Sequence, residues 1–274
     1  MLVDEILGDL KAKSLMLVGV EGSGKTVMAR WVVDHLVKQG FHVTVFDSST
    51  AWWHNSPLPY KLRGYPEPPK LDLSGVVVDI GLIPLEDRYK ALSAYVGTEY
   101  RERYEEFLRN PDAEDCNPWR IHLIEEAQVN LGRGAKSTLL EWISQGRNIK
   151  MRGIYTTQRL AEVSTTIVER CSLLVGAMDG DNNLRKLKNA TSVGFKDTVM
   201  ELGKWEFAYW SNGFKGKIRS PPVEYASPVE NRSWFHTPLG YHDASVSPVD
   251  DIGFDRKAPN SVLSVLSRWL NRNS

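Results

Sequence analysis

The segment Gly19-Val20-Glu21-Gly22-Ser23-Gly24-Lys25-Thr26 fits the spacing G-x-x-x-x-G-K-[ST], which cradles phosphate. Backbone N–H groups of a glycine turn wrap phosphate oxygens, and the N-terminus of a following helix favours negative charge. Glycines let the backbone approach the ligand with no Cβ in the way. Lys25 is expected to reach the β- and γ-phosphates of a triphosphate, and Thr26 to hold Mg²⁺. A flexible glycine turn with a chance lysine is the alternative.

A phosphate cradle alone only binds. Hydrolysis needs a further acid to steady Mg²⁺ and a group to orient the attacking water. Asp79 and the pair Glu125-Glu126 each follow an apolar run, and the pair is the better choice. Glu125 can bind magnesium through water, and Glu126 can polarise the nucleophilic water. Adjacent carboxylates repel, a cost that Mg²⁺ relieves. Gln158 ends the next apolar run, where an amide can donate to the γ-phosphate or hold the water. Arg147, Lys150 and Arg152 form a basic cluster. Arg147 reads equally as an arginine finger for a neighbouring subunit's site or as a solvated cation at a helix end.

These residues need elements to position them. Leu15–Val18 reads as a buried strand, Val27–Gln39 as a helix, and Gly40 as its stop. Further strands are expected at 41–46, 76–80, 121–124, 152–157, 172–176 and 206–210, the last closing the sheet. Helices are expected over 85–108 and 137–145, and Val3, Ile6, Leu7 and Leu10 share helical spacing. Alternating strands and helices imply an α/β fold, a mostly parallel sheet with helices on both faces and ligands at the carboxyl ends of the strands. Residues 48–74 hold Pro57, Pro59, Pro66, Pro68 and Pro69 with Trp52, Trp53, Tyr60 and Tyr65, and read as a surface insertion. The expected domain covers residues 1–214, and a Pro-rich extension covers 215–274. The extension ends in an apolar stripe at helical spacing, Val262, Leu263, Leu266, Trp269 and Leu270.

Composition narrows the class. With 274 residues, 42% hydrophobic, the chain can build one large α/β domain with an extension. Lys+Arg and Asp+Glu both number 34, so any nucleic-acid contact must come from local patches. Cys116 and Cys171 are too few for a disulfide framework, which suits a reduced, cytoplasmic setting. No signal peptide and no bilayer-spanning apolar run is read in the sequence.

Taken in order, the P-loop, Val77-Val78-Asp79-Ile80-Gly81-Leu82, Leu123-Ile124-Glu125-Glu126-Ala127-Gln128, Gly146-Arg147-Asn148, Tyr155-Thr156-Thr157-Gln158-Arg159 and Val168-Glu169-Arg170-Cys171 resemble the HerA/FtsK superfamily of DNA-translocating P-loop ATPases. The HerA branch is the more similar, and the likeness spans about residues 14–214. The resemblance implies a RecA-like core in a ring, usually a hexamer. ATP then lies between subunits and double-stranded DNA runs through the channel. It assigns phosphate and Mg²⁺ to Lys25 and Thr26, metal support to Glu125, catalysis to Glu126, γ-phosphate sensing to Gln158 and the trans-acting arginine to Arg147. It also removes Asp79 as a rival metal residue. Arg133 and Arg152 lie near Arg147 and compete for the finger role. Leu160 stands where many members have proline.

With 18 residues ahead of the P-loop, the layout resembles compact genome-packaging ATPases of tailless, internal-membrane viruses, with plasmid-transfer ATPases as near relatives. The implied setting is the host cytoplasm or the virion, with capsid or membrane-associated virion proteins as further partners. DNA contact is expected first from Arg133 and Lys136, in a loop past the catalytic glutamate. Arg185-Lys186-Leu187-Lys188 and Lys215-Gly216-Lys217-Ile218-Arg219 come second. Such cations grip phosphate without reading bases. Competing classes are a non-motor ATPase switch acting through protein partners and a small-molecule kinase.

Overall fold

The structure, a computed structural model, describes residues 2–48, 53, 60–63, 75–81, 83–109, 118–131 and 142–219. The chain divides into two units, 1–234 and 235–274, and all described residues belong to the first.

Helix α1 (Leu2–Asp9) turns Ile6 and Leu7 into the core, as their spacing requires. β1 (Ser14–Val18) is buried throughout. α2 (Lys25–Lys38) begins inside the phosphate-binding motif, two residues earlier than periodicity alone suggests. β2 (His42–Asp47), β3 (Tyr60–Arg63) and β4 (Gly75–Asp79) precede the long helix α3 (Leu85–Arg109). β5 (Arg120–Ile124) leads into the short α4 (Ala127–Asn130). Residues 142–145 are helical and pass into a 3₁₀ turn, Gly146–Ile149, before β6 (Met151–Thr157). A 3₁₀ turn at Leu160–Glu162 and α5 (Thr165–Glu169) join β6 to β7 (Cys171–Val175). α6 (Asp181–Ala190), α7 (Val193–Met200), β8 (Glu206–Trp210) and β9 (Phe214–Arg219) complete the described chain.

The strands form one nine-stranded sheet in the order β3-β4-β2-β5-β6-β1-β7-β8-β9. Pairing is parallel from β3 through β7 and antiparallel at β8 and β9. Each face carries its own apolar layer. One holds Met28, Val32 and Leu36 of α2 with Ile6 and Leu10; the other holds Leu92 and Val96 of α3 with Ile167, Leu187 and Phe195. Central parallel strands are buried on both sides, which explains their near-continuous apolar sequences.

β1 sends its helix to one face and the neighbouring β6 sends α5 to the other. Their carboxyl ends therefore border the crevice where open α/β sheets bind ligands.

Three expectations change. Glu206–Trp210 does not close the sheet, because β9 pairs on its outer side through Phe207↔Ile218 and Ala208↔Lys217. The proline-rich insertion contributes an edge strand, β3, parallel to β4. Trp53 is no surface residue: it is fully buried in the α2-side layer. The prolines of that insertion, residues 132–141 and the apolar stripe near residue 270 lie outside the described residues.

Candidate functional site

The glycine turn is fixed by both neighbouring strand ends. Gly19 N–H donates to Thr157 O at 3.2 Å and Val20 N–H to Ala177 O at 2.8 Å. Gly22 and Gly24 have φ of 73° and 93°, left-handed values that favour glycine. A Cβ at Gly19 would stand 2.6 Å from Ser23 Oγ, so the turn has no room for one. Lys25 opens α2, is 8% exposed, and donates from Nζ to Val20 O at 2.7 Å. Burial pulls its pKa down to about 8, against the opposing pull of Glu126, Glu125 and Glu21.

β5 ends at Ile124, and Glu125 and Glu126 follow at the same edge of the sheet. Glu125 is 3% exposed, and its carbonyl accepts from Asn130 Nδ2 at 2.6 Å. Glu126 adopts φ 49°, ψ 54°, a left-handed conformation at a non-glycine residue. Such backbone strain is costly and gathers where function over-determines it. Its N–H donates to Thr156 Oγ1 at 3.2 Å, and its Oε1 accepts from Gln158 Nε2 at 3.2 Å. Thr157 Oγ1 donates to Gln128 Oε1 at 2.7 Å. The ends of β5 and β6 thus interlock through side chains, beside the strand that carries the phosphate turn. Thr156, Thr157 and Gln128 had been given no role from sequence. Their only signal is a pair of polar strand ends, and placing these side by side needs the pairing register.

The structure separates other residues from this centre. Asp79 ends β4, four strand spacings from β1, about 19 Å across the sheet. Arg147 is exposed in the 3₁₀ turn ahead of β6, whereas Gln158 follows its far end. A seven-residue strand lies between them, roughly 23 Å. Arg152 is 5% exposed and donates to Ala12 O at 2.8 Å, and burial pulls its pKa down to about 10. It braces the turn after α1 and is no free finger. Arg133 and Lys136 lie outside the described residues. Lys186 donates to Val163 O, while Arg185 and Lys188 are exposed on α6. Lys215, Lys217 and Arg219 are exposed along β9.

The residues fit a Mg²⁺–triphosphate. Ser23 Oγ is buried without a hydrogen-bond partner among the described residues, inside the turn that would take the phosphates. Thr26 in the first turn of α2 and Glu125 offer hydroxyl and carboxylate oxygens, donors for a small hard cation. Among the described residues no cluster of His, Cys, Asp and Glu makes a separate metal site. No helix among them is long and apolar enough to cross a membrane.

No protein-family model and no curated protein matches the sequence. Solved structures do match in fold. The genome packaging NTPase B204 from Sulfolobus turreted icosahedral virus 2, in complex with sulfate, superposes with a TM-score of 0.54 at 15% identity, over 77% of this chain and 96% of that one. The same NTPase with AMPPCP gives 0.51 at 16%, over 72% and 91%. The pCW3 conjugation coupling protein TcpA with ATPγS gives 0.53 at 13%, over 77% of this chain and 61% of that one. The chain has the P-loop NTPase fold that these proteins share.

Proposed function

We propose that this chain is an ATPase that drives double-stranded DNA, most specifically viral DNA entering a capsid. The observation that carries the reading is the Gln158–Glu126 hydrogen bond beside a P-loop whose Lys25 senses both Glu125 and Glu126. A switch that only binds nucleotide needs no water-activating pair. A kinase would need a place for an acceptor where these two side chains meet.

In this reading the turn's N–H groups and Lys25 hold the phosphates, and Thr26 and Glu125 hold Mg²⁺. Mg²⁺ held there would supply positive charge to offset that of the phosphoryl group being transferred. Glu126 takes a proton from water as its oxygen bonds to the γ-phosphorus, and the bond to the β–γ bridging oxygen breaks. The electron pair leaves with ADP. Gln158 holds the Glu126 carboxylate until the γ-phosphate arrives and then donates to the γ-phosphate or the water. Arg147 serves a neighbouring copy's site in a ring, with a hexamer as the expected form. Exposed cations on α6 and β9 are available for DNA phosphates, with Arg133 and Lys136 the first candidates. Affinity for DNA should then fall with salt by about 0.9 log unit per log unit for each phosphate neutralised. Capsid or virion proteins in the host cytoplasm complete the proposed setting. The likeness to TcpA favours DNA transfer between cells as the second reading.

ATP hydrolysis measured with and without duplex DNA tests the proposal. Duplex DNA should raise the rate. Lys25→Ala should abolish turnover and Glu126→Gln should lower kcat about 10²- to 10⁴-fold. A rate indifferent to DNA in the assembled protein would leave the non-motor switch as the better reading.

A further inference from the structure

Glu125 and Glu126 are joined by one peptide group, and side chains hold both of its polar atoms. Its carbonyl, Glu125 O, accepts from Asn130 Nδ2 at 2.6 Å, and its N–H, that of Glu126, donates to Thr156 Oγ1 at 3.2 Å. One bond comes from α4, which follows the corner, and the other from β6, which runs beside it. Two bonds on opposite sides of a planar group fix its rotation. That rotation sets φ of Glu126, the left-handed 49° that a residue with a Cβ adopts only when held. It also sets the direction in which each carboxylate leaves the chain.

Both holding side chains are sealed from solvent. Thr156 is 5% exposed, and its branched Cβ leaves Oγ1 few positions. Asn130 is 0% exposed, and its Oδ1 has no hydrogen-bond partner among the described residues. Core packing alone would favour an apolar side chain there, because a buried amide with an unmet acceptor is costly. The bond to Glu125 O is what the amide supplies. β6 grips Glu126 at a second point, where Gln158 Nε2 donates to its carboxylate at 3.2 Å. The two grips differ in kind. A γ-phosphate can draw Gln158 away, whereas the Thr156 bond is made to the backbone. The carboxylate can therefore be freed for water while its Cα and Cβ stay aimed.

We infer that Thr156 and Asn130 are positioning residues for hydrolysis: by clamping the Glu125–Glu126 peptide they aim the Glu126 carboxylate at the attacking water. The inference rests on the ATPase reading above and adds what holds Glu126 ready for its role.

Steady-state ATP hydrolysis by the full chain, with Mg-AMPPCP affinity measured by calorimetry, tests it. Thr156→Val keeps the shape of the side chain and removes the oxygen. It should lower kcat about 10²-fold, the loss that a displacement of about 1 Å brings, with KM for ATP and AMPPCP affinity unchanged. Thr156→Ser returns the acceptor and should restore most of kcat. Asn130→Ala should likewise lower kcat and spare AMPPCP affinity. Added to Glu126→Gln, neither change should cost further rate, because residues that act as a unit lose their effect together. A wild-type kcat in either variant, loss of AMPPCP affinity along with kcat, a Thr156→Ser chain as slow as Thr156→Val, or further loss on the Glu126→Gln background overturns the inference and leaves the phosphate site standing. A wild type that binds AMPPCP and hydrolyses nothing overturns the ATPase reading itself.

Discussion

Lys25 is held where its charge is disfavoured until a polyanion arrives. Burial lowers its pKa from 10.5 to about 8 in the folded chain. The unfolded chain therefore holds more protons between those values, so this group's destabilising effect is full below about pH 8 and fades as pH rises toward 10.5. A triphosphate brings negative charge that restores the ammonium, so binding near pH 8 should take up a proton, and affinity should fall at higher pH. Calorimetry in two buffers of different ionisation enthalpy reads that uptake directly; identical heats in both buffers would contradict it. Lys25→Met should remove the linkage together with the binding. Glu126 is under a different constraint. Its left-handed backbone is a strain of about 1–2 kcal/mol for a residue with a Cβ, maintained by its bonds to Thr156 and Gln158.

Between α3 and β5 the contact is a buried charge cluster. Glu99 Oε2 lies 2.6 Å from His122 Nε2, and Glu99 Oε1 pairs with Arg120 at 2.9 Å. The His122 ring stacks on Phe46 and meets Trp142 edge-on. Burial pushes the Glu99 carboxyl up, yet His122 and Arg120 outweigh it and hold the pKa at about 2. A depressed carboxyl contributes stability that is complete above its ordinary value of 4.5 and is lost as pH falls toward about 2. Glu99→Gln should cost about 3 kcal/mol at neutral pH and flatten the acid limb of denaturant midpoints measured across that window. This bolt was not legible in the sequence, because nothing local joins residue 99 to 122. The same reason hides Arg152, whose partner is Ala12 O. Strands that end in chemistry were legible, because short apolar runs stop at Gly19, Glu125 and Gln158. β9 was not, because its exposed, alternating cations read as a tail. β3 was not, because the prolines around it masked four residues of pairing.

At the scale of the molecule, parallel strands give the sheet a polarity, and it sorts the candidate residues. Lys25, Glu126 and Gln158 meet at the carboxyl edge, and Arg147 stands at the other end of β6. Arg147 therefore has no route to its own Gln158, and any role it has in hydrolysis comes from another copy. Mixing Arg147→Ala with Lys25→Ala subunits tests this. Each alone should be inactive, and the mixture should regain hydrolysis where an intact P-loop meets an intact arginine. A mixture no better than its parts would return Arg147 to the role of a solvated cation. The sheet also divides the interior. Trp53 is sealed in the layer beneath α2 and Trp142 in the layer beneath α3, at 0% and 1% exposure. Dissolved quenchers reach neither fluorophore while the fold is intact. Light emitted from one, with the other eight of the chain's nine tryptophans replaced by phenylalanine, reports the loosening of a single side of the barrier, so the two halves of the interior can be timed separately as they melt.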